Sequence, residues 1–121
     1  MKPEAYVWKE KFSIIKSKKV YPNAFANITD KNEITVIAQE CELEKGDILG
    51  IDKGWRIITF DTLLPFGMVG FLAPIAAALA NEKVSIFVIS AFSTDHLLVK
   101  EDNLAKTKNV LKELGFTLNN K

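Results

Sequence analysis

The residues best suited to chemistry lie between Leu64 and Lys100: the turn Gly67-Met68-Val69-Gly70, then Phe92, Thr94 and the acid Asp95. A turn that leads into a helix presents backbone N–H groups where the helix dipole is positive, which suits a carboxylate or another anion. Glycine lets a ligand approach the backbone there. Such a pocket is formed by backbone rather than by catalytic side chains. Each residue has an alternative role. The glycines also serve a tight turn and close helix–sheet packing, Asp95 can bond its own backbone, and Phe92 can belong to the core.

Catalytic constellations are weaker. His96 is the single histidine; it follows Asp95, and Ser90 and Ser93 are near in sequence. A triad or an acid–base pair can be drawn from these residues, but no G-x-S-x-G nucleophile elbow is present. Cys41 is the one cysteine, flanked by Glu40, Glu42 and Glu44, which disfavour a thiolate. An intramolecular disulfide is thereby excluded, and a zinc site is not expected. No phosphate loop, dinucleotide fingerprint or metal-ligand cluster occurs, so neither cofactor nor metal is expected.

The elements that position these residues belong to a chain of 121 residues, 48% hydrophobic and 26% charged, as in ordinary globular proteins. A net charge of +1 gives no reason to expect a nucleic-acid partner. Lys16, Lys18 and Lys19 read as a solvated edge. The start, with Glu4, Lys9, Glu10 and Lys11, is not a secretory signal, and a cytoplasmic location is the default. Leu63–Ala80 carries no charge and approaches the length of a membrane span. Pro65, Gly67, Gly70 and Pro74 interrupt it, and its remainder is alanine-rich; a buried turn and helix are expected, not a membrane segment.

The first half reads as strands. Phe12, Ile14 and Lys16 share one face and Ile15 the other. Ala24–Ala38 reads as a hairpin closed by Thr29-Asp30-Lys31-Asn32. Glu40–Lys45 suggests one helical turn before Gly46. In the second half Trp55–Phe60 reads as a strand, followed by a loop and a helix ending near Asn81, with Pro74 at its first position. Val84–Ser90 reads as a strand buried on both faces, and His96–Val99 as another. Asp102–Leu114 is an amphipathic helix with Leu104, Val110, Leu111 and Leu114 inward and Gly115 as its C-cap. Phe116–Leu118 closes the series. This strand–helix–strand–strand–helix–strand order is the split βαβ pattern: an α+β, ferredoxin-like βαββαβ sandwich with two helices on one face of an antiparallel sheet.

Gly70-Phe71-Leu72-Ala73, then Ala77–Ile86 and Ile89-Ser90, resemble the ACT domain in register. The wider set Gly54-Trp55-Arg56, Phe66–Gly70, Ser90–Asp95 and Leu97–Asp102 resembles stand-alone ACT proteins related to aspartate kinase regulatory regions and to CASTOR-type arginine sensors. The resemblance covers Gly54–Phe116. It implies an ACT domain over residues 54–121; the strand content of residues 1–53, which carry no motif of the family, is read as a strand-rich, degenerate ACT-like subdomain. It further implies regulatory binding of an amino acid at the interface of a homodimer. In that reading Gly67, Met68, Val69 and Gly70 cradle the ligand carboxylate, Asp95 beside Thr94 meets its ammonium, and Phe92 forms an apolar wall. The family's usual proline before the turn glycine is Val69 here, and the loop lacks an acid to face a basic ligand, so arginine specificity is not implied.

The expected function is therefore a non-enzymatic amino-acid sensor. The alternatives are a structural interaction module without a ligand, and a small enzyme using Asp95 and His96.

Overall fold

The computed structural model describes residues 3–40, 42–61 and 70–120. Eight strands and two α-helices occur among them: β1 Glu4–Val7, β2 Phe12–Ser17, β3 Ala26–Thr29, β4 Ile34–Gln39, β5 Ile48–Phe60, α1 Leu72–Asn81, β6 Phe87–Ser90, β7 Asp95–Lys100, α2 Leu104–Glu113 and β8 Thr117–Asn120. They form two units. One is drawn from Met1–Lys9 and Arg56–Lys121, the other from Glu10–Trp55. The division differs from a linear cut between residues 53 and 54, because β1 pairs with β8 and with the end of β5.

The Glu10–Trp55 unit is strand-rich, as expected, with order β3-β4-β2 and the first part of β5, all neighbours antiparallel. The Asp30 carboxylate accepts from the N–H groups of Asn32 (2.8 Å) and Glu33 (2.9 Å), closing the β3–β4 hairpin. This is the self-bonding turn that its composition predicts. Both faces of β2 are used. Phe12 is buried on one and meets the Phe25 ring at 5.7 Å; Ile15 packs with Val36 and Ala38 on the other. The turn expected at Glu40–Lys45 is a 3₁₀ turn at Lys45–Asp47.

The second unit carries the βαββαβ series β5-α1-β6-β7-α2-β8. Alternate strand residues Ala5 and Val7, Ile58 and Phe60, and Leu97 and Val99 form one core with Ile75 and Leu79 of α1 and Leu104, Val110 and Leu111 of α2. Both helices thus cover the same face, as the period of two demands. The inner stripe of α2 also includes Thr107, whereas Leu114 is 40% exposed. β1 is inserted between β5 and β8, antiparallel to the first and parallel to the second.

Two further elements depart from expectation. β6 is shorter than Val84–Ser90 and is not buried on both faces. It alternates half-buried and exposed, and among the described residues β7 is its only paired strand. Pro74 is the third residue of α1 rather than the first; a first-turn N–H has no intrahelical acceptor, so its loss costs little.

Candidate functional site

Phe92, Thr94 and Asp95 lie together in and beside the β6–β7 turn. The turn is closed by the Ala91 N–H, which donates to the Thr94 carbonyl at 2.8 Å. Asp95 opens β7 opposite Ser90. No hydrogen bond from a described backbone group reaches its carboxylate. Phe92 is 82% exposed and is not part of the core.

Gly67, Met68 and Val69 lie outside the described residues. Gly70 directly precedes the Phe71 N-cap of α1, with φ of +82°. A Cβ built there would meet no described atom within 4 Å. The left-handed backbone is what favours glycine there.

Ring and hydrogen-bond contacts place these groups at one end of the unit. Phe71 stands edge-on to Phe60, the last residue of β5, at 5.6 Å. The adjacent Thr59 bonds His96, next to Asp95, through Oγ1 and Nδ1 at 2.8 Å. At the other end of the same strands Arg56 Nη1 reaches Glu101 at 3.1 Å. The two pairs run in opposite senses, so β5 ends where β7 begins. The start of α1 and the Phe92–Asp95 turn therefore share an end of the sheet.

Sequence reasoning did not find the polar chain on the helix-free face. Trp8 Nε1–H donates to Thr59 Oγ1 at 2.7 Å. His96 bonds Thr59 through Nδ1 and Thr94 Oγ1 through Nε2 at 3.1 Å. Burial depresses the His96 pKa below its ordinary value, and the neighbouring Asp95 opposes this. Both ring nitrogens are thus committed to threonines. Trp8 and Thr59 are 51 residues apart, and no local spacing announces their meeting.

In the Glu10–Trp55 unit, Tyr21 and Asn27 bond reciprocally through backbone and side chain, each bond 2.8 Å. The Tyr21 hydroxyl donates to Asp47, raising the Tyr21 pKa and lowering that of Asp47. A cavity of about 330 Å³ lies beside Tyr21, Ala24 and Leu43. Another of about 390 Å³ separates the ends of α1 and α2. Among the described residues no cluster of three metal-ligating side chains occurs, and no helix is long and apolar enough to cross a membrane.

A family model described as "ACT domain" matches residues 50–113. The chain belongs to the ACT domain family. Its fold resembles protein Atu0741 from Agrobacterium tumefaciens, with TM-score 0.85 and 21% identity over 100% of this chain and 95% of that one. A protein of unknown function from Vibrio cholerae, VC0802, aligns with TM-score 0.76 and 16% identity over 94% and 91% of the two chains. Aspartate kinase from Clostridium acetobutylicum aligns with TM-score 0.70 and 12% identity, over 92% of this chain and 34% of that chain. No curated protein matches the sequence significantly. The architecture is the ACT fold, which the Clostridium acetobutylicum aspartate kinase shares.

Proposed function

We propose that the chain is a non-enzymatic regulatory protein that binds a small molecule, an amino acid, between the Gly67–Gly70 turn and the Thr94–Asp95 turn. The observation that carries this reading is the shared end of the sheet: the left-handed Gly70 at the entry to α1, and Asp95 with a carboxylate bonded to no described backbone group. Helix-entry N–H groups suit the ligand carboxylate and Asp95 suits its ammonium. The aspartate kinase that shares the fold is described as an allosteric enzyme, which agrees with a regulatory role. His96 argues against an acid–base pair with Asp95, since its nitrogens bond Thr59 and Thr94.

The functional unit in this proposal is a cytoplasmic homodimer. Among the described residues β6, Phe-Val-Ile-Ser, pairs only with β7, and it has no charge on it to block strand addition. The same edge favours the second reading, an interaction module that pairs with a partner and binds no ligand.

Thermal denaturation of the purified chain against each amino acid separates the two. A ligand at ten times its Kd adds roughly 1.4 kcal/mol, about 5 °C for a chain of this size. At least one amino acid is expected to give such a rise. A flat response to every member at millimolar concentration overturns the ligand reading.

A further inference from the structure

We propose that Trp8, Thr59, His96 and Thr94 form a proton-controlled clasp, which ties β1 and the β6–β7 turn to β5 while His96 is neutral and opens when His96 becomes charged. Thr59 is completely buried. Its hydroxyl oxygen accepts from Trp8 Nε1–H, since an indole nitrogen can only donate. The hydroxyl hydrogen then needs an acceptor, and His96 Nδ1 at 2.8 Å is its one described partner besides Trp8. Nδ1 is therefore unprotonated and the ring proton sits on Nε2, where it donates to Thr94 Oγ1. The Trp8 donor, the Thr59 hydroxyl and both His96 ring nitrogens are all satisfied in this arrangement.

A second ring proton must go on Nδ1. Thr59 would then have to accept from both Trp8 and His96, leaving its own hydrogen buried with no described acceptor. An unsatisfied buried donor costs enough to favour breaking the chain. The link to Trp8 yields, because Trp8 lies only one residue beyond the four-residue strand β1. The charged residues on the strands beside His96 are Asp95 and Lys100 on β7, Arg56 on the part of β5 in this unit, and Glu4 on β1; β6 carries none. Arg56 is engaged by Glu101 and the Trp8 carbonyl. Asp95 alone pulls resolvably toward the charged ring, and burial outweighs it.

The clasp is independent of any ligand, and its test uses the ligand-free chain. Nitrogen-15 NMR spectra are recorded from pH 7.5 to 5, with Trp55→Phe assigning the Trp8 indole signal. The Trp8 indole N–H is expected to shift with the same midpoint as the His96 ring, below the ordinary histidine value, and amide protection in β1 is expected to fall with it. His96→Gln should abolish the step and Thr59→Ser should preserve it. A Trp8 signal that stays flat while His96 titrates overturns the proposal, as does an equal step in His96→Gln. If that variant does not fold, the wild-type ring and indole signals alone decide the matter.

Discussion

Arg56 donates two hydrogen bonds to the carbonyl oxygen of Trp8, from Nη2 at 2.8 Å and from Nε at 3.3 Å. The bond ties the end of β1 to the point where β5 enters the βαββαβ unit. The same guanidinium holds both oxygens of Glu101 at the end of β7. One side chain, 15% exposed, thus secures an inserted strand of only four residues.

Arg56→Met is expected to destabilise the fold by about 2 kcal/mol in urea denaturation, since it removes charged hydrogen bonds to a partly buried carbonyl. Glu101→Gln should cost less than about 1 kcal/mol, because the carboxylate is 40% exposed and its pairing is screened. Equal losses in the two variants would show that the salt bridge, and not the Trp8 carbonyl, carries the effect.

Both helices end in the same motif with different residues. After α2, Phe116 N–H reaches the Leu111 carbonyl and Gly115 N–H that of Lys112, each at 3.0 Å, with Gly115 at φ +100°. After α1, Val84 N–H reaches Leu79 at 3.0 Å and Lys83 N–H reaches Ala80 at 2.9 Å, with Lys83 at φ +60°. The left-handed position favours glycine. Gly115→Ala should lower stability by about 1 kcal/mol and Lys83→Gly should raise it by up to about 1 kcal/mol, read as opposite shifts of the denaturation midpoint.

Burial lowers the His96 pKa in the folded chain below its ordinary value of 6.5. The unfolded chain therefore binds more protons between the two values, and stability rises with pH across that window. The contribution is complete above about 6.5 and is lost as pH falls until it passes the depressed folded value. His96→Gln should flatten this part of the stability–pH curve. A wild-type curve with no slope there that His96→Gln removes would contradict the assignment.

Several elements were legible because their signals are local. Gly115 follows a periodic apolar stripe, Asp30 sits in a self-bonding turn, and Gly70-Phe71-Leu72-Ala73 through Ser90 keeps one uninterrupted register. β1 was not legible: Glu4-Ala5-Tyr6-Val7 is too short to display a period, and its strand role comes from pairing with residues near 60 and 117. The edge status of β6 was hidden for a similar reason. An apolar run of Val, Ile and Phe reads as doubly buried, while its pairing, with β7 alone among the described residues, is set by tertiary structure. Of the candidate site, Phe92, Thr94 and Asp95 were proposed from register. Thr59 and Trp8 were missed because only the sheet brings them to His96.

The central claim is that Asp95 meets the ammonium of a bound amino acid. The direct measurement is the ligand-induced rise in the thermal midpoint, compared between wild type and Asp95→Asn with the amino acid that stabilises the chain. The account predicts a rise of several degrees in the wild type, and a loss of most of it in Asp95→Asn with its ligand-free midpoint little changed. An equal rise in both proteins, or none in the wild type with any amino acid, would contradict it.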